Sequence, residues 1–248
     1  MRSLLVGWAA TVGVGAAVMG GCQSGPKSEA PKPAAIELFN GTSLDGWVRR
    51  GGEASFEAEG GMIVGTTRPN QPNSFLCTVG EYGDFELELE FKVDPELNSG
   101  VQIRSQSLPG YKNGQVHGYQ VEIDPSSRAW TAGIYDEGRR GWLAPLDKNP
   151  AAQAAFRQDQ WNSLRILAQG DLIKTWLNGV PAAEVRDSMT PRGFIALQVH
   201  GVGPQTREMR VRWRNIRLHP LSPATNPQGS ADGGTGHGTP DAARTDHV

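Results

Sequence analysis

The nine residues Phe85-Glu86-Leu87-Glu88-Leu89-Glu90-Phe91-Lys92-Val93 alternate apolar and charged side chains without a break. Successive side chains of a β-strand point to opposite faces, so a period of two describes a strand with one dry and one wet face. Residues 161–167 repeat the pattern, with Leu164 and Ile166 opposing Arg165. Residues 209–218 do so again, with Arg210, Arg212 and Arg214 opposing Val211 and Trp213. Residues 173–177 and 180–185 are joined through Asn178-Gly179. That pair is a strong hairpin signal, because both central residues of a type I′ turn need positive φ. Gly60-Gly61 links residues 55–57 to 62–64 in the same way, and residues 194–200 complete the set. A single loop helix is expected, capped by Asn149, opened by Pro150 and carried by residues 151–157. Many short strands, tight turns and one short helix predict an all-β sandwich of two antiparallel sheets.

The chain has 248 residues, and its ends do not read as part of that sandwich. Arg2 precedes an apolar run at 4–19 that is short for a membrane span and closes on Met19-Gly20-Gly21-Cys22. Small residues directly before a cysteine resemble the bacterial lipobox, so residues 1–22 are expected to be a lipoprotein signal with Cys22 acylated. The expected location is then an exported protein anchored to a bacterial membrane, on the periplasmic or cell-surface side. Residues 23–35 are a polar, proline-containing tether. Residues 221–248 are rich in Gly, Pro, Ser and Thr and lack apolar periodicity, which predicts a disordered tail. This leaves 36–220 as one folded domain. Once Cys22 is set aside, Cys77 has no partner for a disulfide or a zinc cluster and reads as a small buried hydrophobe. A net charge of −2 with interspersed signs gives no footprint for nucleic acid.

The chemistry concentrates in residues 98–124. A strand-like run at 100–104 and another at 119–124 flank a polar, glycine-containing loop. Alternation places Gln102 and Arg104 on one face, and Gln120, Glu122 and Asp124 on one face of the second run. If the runs share a sheet, Arg104 faces two carboxylates. That arrangement is either a site or an ordinary salt bridge on a wet sheet face.

Several segments, in order, resemble the 3-keto-disaccharide hydrolase family, once listed as a domain of unknown function. They are Phe39-Asn40-Gly41-Thr42-Ser43-Leu44-Asp45-Gly46-Trp47, Asn98-Ser99-Gly100-Val101-Gln102-Ile103-Arg104-Ser105, and Gly118-Tyr119-Gln120-Val121-Glu122-Ile123-Asp124. Gly133-Ile134-Tyr135, Trp161-Asn162, Trp176-Leu177-Asn178-Gly179, Ile195-Ala196-Leu197-Gln198-Val199-His200-Gly201 and Arg212-Trp213-Arg214-Asn215-Ile216-Arg217-Leu218 follow. The resemblance implies a concanavalin A-like jelly roll with a carbohydrate groove. It also implies action on glycosides already oxidised at sugar carbon 3, as lyases and hydratases whose net outcome is hydrolysis.

A ketone at carbon 3 acidifies the proton on carbon 2, because the resulting carbanion delocalises as an enolate. Such a site needs a base, an acid for the leaving oxygen, and positive charge near the enolate. The catalytic candidates are Arg104 as enolate or sugar-oxygen stabiliser, Glu122 and Asp124 as bases, and His200 as an acid/base, with His117 the second choice. No cofactor is certain. If a divalent cation such as calcium polarises the ketone, Glu122 and Asp124 are its expected ligands. Gln102, Gln120, Gln198 and His117 are expected to contact substrate, and Tyr135, Trp142 and Tyr111 to stack on a sugar ring. Asp136-Glu137-Gly138-Arg139-Arg140 reads as a solvated loop at the rim. Glycosidases of this architecture carry a Glu, Asp, Glu strand motif, whereas Glu122-Ile123-Asp124 runs into Pro125-Ser126-Ser127. Retaining hydrolysis needs carboxyls about 5–5.5 Å apart, and alternate strand neighbours lie about 6–7 Å apart. Direct displacement is therefore disfavoured. The alternative function is a non-catalytic carbohydrate-binding module on the same fold.

Overall fold

The structure, a computed structural model, describes residues 34–204 and 207–222. The Cys22 lipobox, the leader, nearly all of the tether and most of the C-terminal tail lie outside them. The strands are β1 (Ile36–Glu37), β2 (Trp47–Gly51), β3 (Ser55–Glu59), β4 (Met62–Thr66), β5 (Ser74–Thr78), β6 (Phe85–Val93), β7 (Ser99–Gln106) and β8 (His117–Ile123). They continue with β9 (Ile134–Glu137), β10 (Gly141–Ala144), β11 (Asn162–Gln169), β12 (Leu172–Leu177), β13 (Val180–Arg186), β14 (Phe194–Val199) and β15 (Arg210–Pro220). One sheet, here the back sheet, runs β13-β12-β11-β6-β15-β4-β3, with β1 also paired to β15. The front sheet runs β10-β9-β8-β7-β14-β5-β2. Every pairing between these strands is antiparallel. The fold is the two-sheet jelly-roll sandwich that the alternation predicts.

The alternation decides which side chains fill the sandwich. Phe85, Leu87, Leu89, Phe91 and Val93 of β6 are buried, while the intervening Glu86, Glu88, Glu90 and Lys92 face outward. From the front sheet come Val101, Ile103, Tyr119, Val121, Ile123, Ile195, Leu197 and Val199, all essentially inaccessible. Each large apolar side chain buried in this way contributes roughly 1.5–3 kcal/mol. The Asn178-Gly179 turn has φ of 50° and 81°, and β12 and β13 meet directly across it at Leu177 and Val180. The helix forms with its Asn149 cap, whose side-chain oxygen accepts from the Ala152 amide at 3.1 Å. It is only Pro150–Gln153, shorter than the expected 151–157, and four residues are too few for helical propensity to sustain against loop packing. Cys77 is buried with Phe75, Val116, Phe194 and Ala196 on the outer side of the front sheet, and burial pushes its thiol up to about 12. It is inert packing, as its sequence context suggests.

One break in the ladder changes the site. The register of β7 with β8 shifts between residues 103 and 106, that of β7 with β14 shifts between 102 and 105, and Arg104 sits within both at φ 46°. A bulge adds a residue and re-aims the side chains around it.

Candidate active site

The outer face of the front sheet carries a pocket of about 290 Å³ lined by Asn73, Asn98, Gln120, Glu122, Arg128, Tyr135, Glu137, Trp142 and His200. Its floor follows from register. Gln102 of β7 lies opposite Gln120 of β8, which lies opposite Tyr135 of β9, and Tyr135 lies opposite Trp142 of β10. Alternation then adds Glu122 two residues beyond Gln120, and Glu137 two residues beyond Tyr135.

Glu122 is buried, and both of its carboxyl oxygens accept hydrogen bonds from amides. Asn98 Nδ2 donates to Oε1 at 2.6 Å, and Gln120 Nε2 donates to Oε2 at 2.8 Å. Burial dominates, pushing the carboxyl from an ordinary 4.5 up to about 7, against the opposing pull of the two amides. The negative charge of Asp124 adds to the rise, and the Arg128 guanidinium, 3.9 Å from Oε1, reduces it. A carboxyl balanced near neutrality is suited to acid/base work.

Glu137 stands at the other end. Gly118 lies opposite Glu137, so the two carboxylates are offset by four residues, about 13 Å between backbones along the strand. This spacing suits groups that serve different atoms of a ligand. Burial raises the Glu137 pKa, the Asn73 amide donates to it at 3.3 Å, and the His200 charge works against the rise.

Arg128 is the cation of the pocket, and Asp124 puts it there. Asp124 accepts from Arg128 Nε at 2.8 Å, and from the backbone amides of Ser126 and Trp130 at 3.2 and 3.3 Å. Burial alone would raise the Asp124 carboxyl, but the hydrogen bonds from Ser126 and Arg128 and the arginine charge hold it below its ordinary value. The guanidinium lies 4.8 Å from the Trp130 ring and 5.1 Å from the Trp142 ring, so aromatic faces brace it from the side.

Arg104 does not enter the pocket. It is fully buried elsewhere, with Nη2 on Asp84 at 2.8 Å, Nε on Gly83 O at 2.7 Å and Nη1 on Gly170 O at 2.7 Å. The bulge at its own position reverses the face that simple alternation assigns. Asp124 is an anchor for Arg128 rather than a free base, and the Arg128 guanidinium lies between it and Glu122, the two carboxylates that would be the ligands if a divalent cation were used. His117 is buried beside Tyr111, its Nδ1 at 2.8 Å from Gln115 O and the ring centroids 4.0 Å apart, and neither residue lines the pocket. Gln198 is fully buried under the same face, and its side-chain amide has no partner among the described residues. The segment from Asp136 to Arg140 is not a solvated loop. Asp136 belongs to β9, is inaccessible and is gripped by Arg139 and Arg140, while Glu137 faces the pocket.

Gln120, Glu122, Tyr135, Trp142 and His200 are brought together as pocket lining, with Gln102 just beneath Gln120. His200 is exposed and bonds Gly201 O through Nδ1 at 2.8 Å, leaving Nε2 as its other ring nitrogen. Tyr135 and Trp142 meet edge to face at 5.2 Å, and Trp142 and Trp130 at 4.7 Å. Sequence reasoning missed Asn73, Asn98, Arg128 and Glu137. The alternation Tyr135-Asp136-Glu137 does carry a signal for Glu137, whereas Asn73 arrives from a distant loop with none. A roomier depression of about 420 Å³ lies on the back sheet around Glu88, Arg165, Trp176 and Arg217. Its arginines are committed to Glu86 and Glu37, and Arg165 covers the Trp176 ring at 4.1 Å, so it is a solvated, ion-paired sheet face.

Comparison with known proteins agrees with this architecture. A candidate glycosyl hydrolase from Parabacteroides distasonis is similar, with TM-score 0.55 and 18% identity over 76% of this chain and 94% of that one. The carbohydrate-binding module CBM66 from Bacillus subtilis gives TM-score 0.52 and 17% identity over 70% and 95%. A Bacillus subtilis protein of unknown function with a galectin-like fold gives 0.52 and 12% over 71% and 90%. At these identities the likeness is one of fold. No curated protein matches the chain. Residues 34–219, essentially the whole sandwich and its pocket, match the family model described as a 3-keto-alpha-glucoside-1,2-lyase-like domain, and the chain belongs to that family.

Proposed function

We propose that the protein is a carbohydrate-active enzyme that cleaves 3-keto-glycosides by elimination across carbons 1 and 2 followed by hydration. The observation that carries this is Glu122: a buried carboxyl near neutrality, held by two amides, in one pocket with an arginine. In the first half-reaction Glu122 takes the carbon 2 proton, and the C–H electron pair moves into an enolate whose oxygen is met by Arg128. The enolate then expels the aglycone oxygen from carbon 1, and that oxygen takes a proton from His200 or Glu137. In the second half-reaction water adds at carbon 1, giving its proton back to the group, His200 or Glu137, that protonated the aglycone, and the proton on Glu122 returns to carbon 2. The protein begins and ends in the same protonation state. A pocket of about 290 Å³ is at the low end for small-molecule sites, which run about 300–1,000 Å³. That size favours a single sugar ring with a short aglycone over a polymer.

The test is release of a chromogenic aglycone from a 3-keto-glucoside, alongside the parent glucoside. Release from the ketone only, lost in Glu122→Gln and Arg128→Ala, is expected. The rival reading is a binding module, and the Trp130, Trp142 and Tyr135 cluster favours it as a platform for sugar. Oligosaccharide binding with no release from either substrate would establish that reading instead. The leader supports a further proposal, that Cys22 is acylated and anchors the enzyme on the outer side of a bacterial membrane. Incorporation of labelled fatty acid, abolished in Cys22→Ser, tests it.

A further inference from the structure

Beneath the pocket three polar side chains form a line ending on Glu122. Ser105 Oγ donates to Gln102 Oε1 at 2.6 Å, Gln102 Nε2 to Gln120 Oε1 at 2.7 Å, and Gln120 Nε2 to Glu122 Oε2 at 2.8 Å. All four residues are buried. Gly100 makes the line possible, since a Cβ there would lie 2.5 Å from Gln120 Cδ. Every donor points toward Glu122, which suits a carboxylate and not a carboxylic acid, whose O–H needs an acceptor.

We propose that Ser105, Gln102 and Gln120 are positioning residues that form a reversible amide relay, holding Glu122 in both its carboxylate and its carboxylic acid form. When Glu122 is protonated, its O–H donates to Gln120 Oε1, Gln120 Nε2 to Gln102 Oε1, and Gln102 Nε2 to Ser105 Oγ. An amide turned half a revolution exchanges donor for acceptor in nearly the same volume, so two flips reverse the line. The far end permits it: Ser105 Oγ also lies 3.1 Å from Ile103 O and 3.4 Å from Tyr119 O, which receive the hydroxyl proton once Gln102 becomes the donor. A hydroxyl is donor and acceptor at once, so neither sense of the line leaves a buried group unpaired. Asn98 is partly exposed and can turn independently. The need for both forms of Glu122 rests on the elimination and hydration reading, in which it carries a proton between half-reactions. The other groups facing this carboxyl are Asp124 and Arg128 on the loop after β8, Tyr135 and Glu137 of β9, and His200 after β14.

The experiment is NMR of the purified protein without substrate, following the Glu122 carboxyl carbon and the side-chain NH₂ groups of Gln102 and Gln120 from pH 5 to 9. The Glu122→Gln spectrum assigns the carboxyl. Both amides are expected to titrate with the Glu122 midpoint, and to lose that response in Glu122→Gln. In Gln102→Glu an acceptor-only carboxylate locks Gln120 in the reversed sense. The Glu122 midpoint then rises by at least about one pH unit, and the Gln120 amide stops responding. In Gln102→Met both senses lose one bond, and the midpoint stays near that of the wild type. A Gln102 amide indifferent to pH across the Glu122 titration overturns the relay, and the wild-type protein alone decides this if Gln102→Glu does not fold. Full turnover by Glu122→Gln sinks the functional reading while leaving the relay intact.

Discussion

Glu122 is held at a cost that a single substitution removes. Its carboxyl titrates near 7 in the folded protein against an ordinary 4.5, chiefly because burial opposes ionisation. A raised acid pKa means that folding favours the proton. The group is neutral in both states below about pH 4.5, becomes a growing liability as pH rises toward 7, and carries its full penalty above that. The gap between 4.5 and about 7 is worth about 3 kcal/mol at 1.36 kcal/mol per pH unit. Glu122→Gln keeps shape and hydrogen-bonding capacity without the charge. Its one new conflict is an N–H where an oxygen accepted, which costs about 1 kcal/mol unless an amide flips. The variant is therefore expected to be about 2–3 kcal/mol more stable than wild type at pH 8.5. The advantage should vanish by about pH 4.5, the ordinary carboxyl value, while turnover of the 3-keto-glucoside falls at least a hundredfold. Urea unfolding at half-unit steps from pH 4.5 to 8.5 reads the difference. A stability gap that does not change with pH, or a wild type more stable than the variant at pH 8.5, would refute the reasoning.

Arg128→Met should lower kcat by about 10²–10³, the scale of losing one preorganised charge stabiliser, with some loss of stability because the buried Asp124 carboxylate is left without its cation; a loss confined to KM would mean the arginine only binds. Arg104→Met should act in the opposite way, destabilising by about 3–5 kcal/mol because it strands Asp84 and two carbonyl acceptors, with kcat of the remaining folded fraction near wild type; kinetics on chemically quantified native protein would show any direct role. Because Arg128 bridges Asp124 and Glu122, EDTA should leave release within about twofold of the untreated rate, and loss of activity restored by calcium would contradict that. The acidic limb of kcat/KM should fall with a midpoint close to 7, since Glu122 must be ionised to act as base; a limb near 4.5 would assign the base elsewhere.

Strand alternation, the Asn178-Gly179 turn and the Asn149 cap are local signals, and each survives folding because burying one face of a strand rewards the same period that the residues display. Local pattern therefore carried the all-β class, the inward set from Phe85 to Val93, and the shared face of Gln120 and Glu122, while the pairing of β7 with β8 added Gln102 to that face. The sequence by itself could not determine Arg104, because the bulge that turns this residue toward Asp84 arises from register with two neighbouring strands. Nor could it assign Asp124 to Arg128, since a carboxylate's role depends on which cation the following loop brings back. Asn73 and Glu137 meet only across sheet order, 64 residues apart in the chain. Tertiary structure decided these because charge and hydrogen bonding act through space over a few ångströms, whereas periodicity acts along the chain.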